Sequence, residues 1–134
     1  PHMMELGRMM GEDVRKLKEW PFDTIERAVR DYPGTLVWKD ACTITRCAGG
    51  ALYLNRSGND GMATAGSGDV LAGLLGGLLA SGTRSGADAD LAVPLGVYLH
   101  GAAGDAAAEK KGRHAMTARD ILEGIPTAMT GGKV

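Results

Sequence analysis

Asp69 stands at the end of the stretch NRSGNDGMATAGSGD and at the start of the apolar run VLAGLLGGLLASG. Gly66, Ser67 and Gly68 precede it directly. A glycine-rich turn that opens a helix leaves the first-turn N–H groups pointing outward, and the helix dipole adds partial positive charge there, so such a segment suits an anion. A carboxylate at that border can accept the proton of a hydroxyl held beside a phosphoryl group. The same aspartate is explained equally well as a helix cap, stabilised by the same dipole. Two common nucleotide-loop fingerprints do not decide between these readings. G-x-x-x-x-G-K-[ST] does not occur, and GSGDVLAG lacks the third glycine of G-x-G-x-x-G at the right place.

Composition narrows the classes of function. The 15 basic and 16 acidic residues nearly cancel, so the chain sets up no field that would draw in nucleic acid or an anionic membrane. At 134 residues it is long enough for one core and too short for two ordinary domains. Glycine, at 21 residues, is about twice its usual share and follows neither a collagen period nor a low-complexity pattern. Cys42 and Cys47 lie in CTITRC, which alternates like a strand, so their side chains point to opposite faces and do not bridge. With no metal-type cysteine spacing, no signal-peptide pattern and no apolar run of about 20 residues, a reducing, cytoplasmic setting is expected.

The elements that must hold Asp69 follow from periodicity. MELGRMMGEDVRKLKEW and PFDTIERAVRDY predict helices, the second with Pro21 near its start, and Pro33-Gly34 ends that run. TLVWK, CTITRC and ALYLN predict three short strands, the last two joined by a turn at Gly49-Gly50. From Val70 the pattern is helical, with Leu71, Leu74, Leu75, Leu78 and Leu79 on one side and Gly73, Gly76 and Gly77 elsewhere. So many small residues cost helix propensity, which implies close packing by other backbone. ADADLAVPLGVYLHGAAGDAAAEKKG predicts a long helix, and TARDILEGI a short one capped by Thr117.

NRSGNDGMATAGSGDVLAG resembles, nearly residue for residue, the signature of the ADP/ATP-dependent NAD(P)H-hydrate dehydratases of the ribokinase-like superfamily. VYLHGAAGDAAAEKKG is similar to that family's L-H-G-x-A-G-D-x-A segment, and TARDILEGIP to its closing helix. PHMMELGRMMG is similar to P-H-x-x-E-[LFM]-x-R-L, and LVWKDACTIT to V-x-L-K-G-A-x-T-x-I, except that Asp40 stands where the family has Gly. The resemblance spans essentially the whole chain. It implies an α/β, ribokinase-like three-layer fold, of which residues 1–134 would form the C-terminal half, since the family's domain is considerably longer.

The reaction that the resemblance implies is dehydration of NAD(P)HX, the nicotinamide cofactor hydrated at its ring. Hydroxide is a poor leaving group, so the hydroxyl is first phosphorylated from ADP or ATP, carried with Mg2+, and phosphate then departs. Asp69 would be the catalytic proton acceptor, with Gly66, Ser67 and Gly68 cradling the phosphates. Lys39, Asp40, Ala41, Cys42 and Thr43 would lie against the nucleotide, and His2 and Asp69 would face the hydrated cofactor. Asn59 would order the phosphate loop, and no residue is assigned to a metal. The partners implied are NAD(P)HX, ADP or ATP, and an NAD(P)HX epimerase acting alongside, with no nucleic acid and no membrane. Strands missing from the sheet would leave an apolar patch, so a homo-oligomer is expected.

Taken singly, several of these residues have plainer readings. Lys39 reads as a solvated strand end, His100 as a packed helix residue, His114 as surface, and Met3, Met4, Met9 and Met10 as core filling. Two other functions stay open. One is a small-molecule kinase of the same superfamily, of the thiazole or pyrimidine type; the other is a truncated fragment without turnover.

Overall fold

The computed structural model describes residues 1–85 and 88–131. The chain divides into two compact units, Pro1–Leu54 and Asn55–Val134.

The first unit begins with α1 (Met3–Met10), α2 (Val14–Glu19) and α3 (Pro21–Asp31). One continuous helix was expected where α1 and α2 stand, and the break has a local cause. Gly11 adopts a left-handed φ of 66° and its N–H bonds back to the Gly7 carbonyl, which closes α1. Asp13 then caps α2 by accepting from the Arg15 N–H at 2.8 Å. α3 starts with Pro21, whose missing N–H costs nothing in a first turn. Buried Thr24 donates its hydroxyl to the Leu17 carbonyl at 3.1 Å, which ties α3 to α2.

Three strands follow, β1 (Leu36–Trp38), β2 (Ile44–Arg46) and β3 (Leu52–Leu54). They pair antiparallel in the order β1-β2-β3, with Val37 opposite Thr45 and Thr45 opposite Tyr53. Gly50, at φ 105°, turns the chain between β2 and β3. A single parallel bridge joins His2 to Lys39 beside β1, and the Lys39 N–H donates to the Pro1 carbonyl at 2.8 Å. Leu6, Leu17, Ile25, Ala28, Leu36, Trp38 and Ile44 form the core of this unit, with Met3 and Met10 packed against it. Met4 and Met9 were expected in that core. They lie on the outer side of α1 and are 51% and 37% exposed, because an eight-residue helix has only one face to bury.

The second unit contains a short 3₁₀ turn at Asp60–Met62 and three helices, α4 (Ser67–Ser85), α5 (Ala89–Lys111) and α6 (Ala118–Met129). Close backbone approach was expected on α4 and occurs instead on α5 and α6. Gly73, Gly76 and Gly77 of α4 have no described atom near the place a Cβ would take. In contrast, a Cβ on Gly101 would fall on the backbone of Ser57, one on Gly104 on Met62, and one on Gly124 on the Ala103 carbonyl. Ala103, Ala107, Met116 and Ile121 make the core, with Met62 and Val70 against it. Thr117 opens α6, its N–H and hydroxyl both donating to Asp120 Oδ2 at 2.8 Å. Cys42 is exposed and Cys47 buried, and the two form no disulfide.

Candidate active site

In the second unit α4 opens at Ser67, three residues earlier than periodicity suggested, and Asp69 sits in its first turn with an exposed side chain. The turn into the helix depends on Gly66 at φ 88°, a left-handed conformation, and a Cβ there would stand 3.1 Å from the Ala118 Cβ of α6. Ser67 N–H is taken by the Thr64 carbonyl at 3.3 Å, and Asp69 and Val70 N–H groups both reach the Gly66 carbonyl at 3.1 Å. Among the described residues the Gly66 and Gly68 N–H groups have no such partner, so two of the three expected amides remain for a ligand. Asp69 therefore stands at the positive end of a 19-residue helix, beside unpaired amides and in contact with water.

The glycine loop is anchored to α5 at three points. Ser57 Oγ donates to the Tyr98 carbonyl at 2.8 Å. Asp105 accepts with both oxygens, Oδ2 from the Gly58 N–H at 2.8 Å and Oδ1 from the Asn59 amide at 3.0 Å. Asn59 also donates to the Gly104 carbonyl and accepts from the Gly61 N–H, each at 3.0 Å. Its bonds run to α5 and to its own loop. His100 is buried, and its Nε2–H donates to the Ser67 carbonyl at 3.0 Å, so the first residue of α4 is also tied to α5. That bond makes His100 a packed helix residue with a polar task. Asp105 and the His100 bond were missed in the sequence. Their signal was the spacing H-G-x-x-G-D, which puts Gly101, Gly104 and Asp105 on one helix face, with small residues beside the acid so that a loop can reach it.

In the first unit the residues expected at the ligand fall into two groups. His2 and Lys39 are neighbours through the parallel bridge, and Glu5 lies between their side chains, 3.4 Å from His2 Nε2 and 4.0 Å from Lys39 Nζ. The His2 backbone N–H, the imidazole and Lys39 together hold the Glu5 carboxyl below its ordinary range. Asp40, Ala41 and Cys42 form an exposed bend between β1 and β2, and the Thr43 hydroxyl closes it on the Asp40 carbonyl at 3.3 Å. Asp40, the departure from the family pattern, is paired with Lys18 of α2 at 3.2 Å, so its charge is partly balanced within the chain. Among the described residues no cluster of three or more His, Cys, Asp or Glu could hold a metal. A Mg2+ that arrives on nucleotide phosphates needs no such protein cage.

Solved structures set the class. The chain superposes over 99% of its length, with a TM-score of 0.89 and 27% identity, on the ADP/ATP-dependent NAD(P)H-hydrate dehydratase of Bacillus subtilis co-crystallised with ATP and Mg2+, covering 47% of that chain. The mixed helix and sheet fold is thus ribokinase-like. The family model for NAD(P)H-hydrate dehydratase matches residues 1–127, and the chain belongs to that family. Among its curated relatives is the bifunctional NAD(P)H-hydrate repair enzyme of Moorella thermoacetica, 42% identical over 94% of this chain. Another is the ADP-dependent (S)-NAD(P)H-hydrate dehydratase of Neisseria meningitidis, 37% identical over 84% of this chain. The chain spans 23% of the first relative's length and 36% of the second's.

Proposed function

We propose that the protein dehydrates NAD(P)HX to NAD(P)H at the expense of ADP or ATP, and that this chain supplies the general base and half of the phosphate cradle. The observation that carries the reading is Asp69, exposed in the first turn of α4 beside the Gly66 and Gly68 amides. An amide pair at a helix N-terminus stabilises the charge on a phosphoryl group in transfer. A carboxylate next to it takes the proton from the attacking hydroxyl of the hydrate. The γ-phosphoryl group of ATP or the β-phosphoryl group of ADP moves to that oxygen, leaving ADP or AMP. Phosphate then departs with the C–O bonding pair while the neighbouring ring carbon loses a proton, which re-forms the ring double bond.

Lys39, Asp40, Ala41, Cys42 and Thr43 are assigned to the nucleotide, His2 and Asp69 to the hydrated cofactor, and Asn59 to ordering the loop. Two cysteines outside any disulfide fit a reducing, cytoplasmic setting. The bifunctional relatives fit an NAD(P)HX epimerase as functional partner. The test is ADP-dependent recovery of NADH absorbance from its hydrate by the full-length protein. Release of free phosphate together with NADH supports the reading, whereas a stable phosphorylated product would make the protein a small-molecule kinase of the same class.

A further inference from the structure

We propose that Glu5 is a positioning residue that fixes His2 as a hydrogen-bond donor, so that the His2 ring can recognise only an acceptor oxygen. The ring is committed on one side. His2 Nδ1 accepts from the Met4 N–H at 3.1 Å and the Glu5 N–H at 3.3 Å, which caps α1. A nitrogen that accepts there has no proton, so in the neutral ring the proton resides on Nε2. Glu5 reinforces that arrangement from two directions. Its Oε2 accepts the His2 backbone N–H at 2.7 Å, and its Oε1 stands 3.4 Å from Nε2, where negative charge favours a protonated nitrogen. The same Oε2 lies 4.0 Å from Lys39 Nζ, so one carboxylate sets the positions of both side chains that the parallel bridge brings together. His2 and Glu5 side chains are 52% and 45% exposed, which leaves the Nε2–H edge within reach of a ligand.

The consequence for recognition rests on the reading in the preceding subsection. His2 offers a proton to a hydroxyl, carbonyl or phosphate oxygen of the hydrated cofactor, and it does not serve there as a base. Lys39 adds positive charge alongside, so an anionic oxygen suits the pair best.

Glu5→Gln separates this role from capping. Gln serves as well as Glu at the third position of a capping box, so the helix start is kept while the charge is removed. In the full-length protein, long-range ¹H–¹⁵N spectra of the wild-type His2 ring are expected to show the Nε2–H form. In the variant the ratio of Nδ1–H to Nε2–H form should rise about fivefold, the scale of a half-exposed charged contact. KM for the hydrate should rise by a similar factor with kcat within about twofold, and the melting temperature should stay within about 2 °C. A wild-type ring protonated on Nδ1, or variant ring signals that match the wild type, overturns the proposal. If the ring signals change as expected but the wild type regenerates no NADH, Glu5 keeps its role and the functional reading falls.

Discussion

At the scale of single residues, Asp69 and Asp120 are two helix-start aspartates in contrasting surroundings. Asp120 is buried. The Lys111 ammonium and then the Thr117 hydroxyl and N–H hold its carboxyl down to about 2. A carboxyl lowered on folding stabilises the fold above its unfolded value and loses that contribution as pH falls through the folded one. Acid titration should therefore remove the Asp120 contribution between about pH 4 and pH 2. Asp120→Asn should lower the melting temperature at pH 7 and flatten its fall over that window, as circular dichroism against pH would record. Asp69, by contrast, is exposed, and its backbone N–H donates to the Gly66 carbonyl at 3.1 Å. Asp69 is the third residue of α4, with Gly66 in the capping position, and its side chain is exposed, so Asp69→Asn should leave the melting temperature within about 2 °C. Turnover should nevertheless fall by about 100-fold or more, the usual scale for losing a general base. Retained turnover in the hydrate assay would remove Asp69 from the mechanism.

At the scale of elements, the glycines divide into those that admit another backbone and those that face open space. Gly124 of α6 meets the Ala103 carbonyl of α5, and backbone cannot swing aside as a side-chain end can. Gly124→Ala should therefore cost about 1–3 kcal/mol or more, measured by urea unfolding. Gly77, in the middle of α4, meets nothing described, so Gly77→Ala in the 134-residue chain should stabilise the helix by about 0.5–1 kcal/mol. A loss of stability there would mean that another surface covers α4. The anchoring of the glycine loop belongs to this scale too. Asp105→Ala leaves the Gly58 N–H without its acceptor and the Asn59 amide with the Gly104 carbonyl alone. It should raise KM for ADP and lower kcat together, since the loop that opens α4 loses its hold on α5.

At the scale of the whole molecule, large apolar side chains remain exposed in both units. Leu52, Tyr53 and Leu54 make up β3, an edge strand whose three residues are all open to solvent. On α5, Leu91, Leu95 and Tyr98 are spaced along one helix face and are each half or more exposed. A bare strand edge pairs readily with another chain, and apolar surface of this extent favours association. The 134-residue chain should therefore sediment with a concentration-dependent mass above that of a monomer. A single monomeric boundary across the micromolar range would contradict this. Among the described residues no helix is long and apolar enough to cross a membrane.

Much of this architecture was legible in the residues. The strands at 36–38, 44–46 and 52–54 were marked by short alternating runs separated by turn residues, and Pro21, Thr117 and Gly66-Ser67-Gly68 marked helix starts, because these signals act within a few residues of themselves. The break at Gly11 was local as well, but an apolar rhythm running through MELGRMMGEDVRKL hid it until the left-handed φ appeared. What sequence alone could not settle depends on partners far apart along the chain. Asp105 became an anchor of the glycine loop only when folding set it opposite Gly58 and Asn59, 47 and 46 residues away. His100 found the Ser67 carbonyl in the same way, across 33 residues. The glycines followed the same rule. Composition showed that close approach had to occur somewhere, but only tertiary packing decided that it occurs at Gly101, Gly104 and Gly124, where a Cβ would occupy space already filled by another segment.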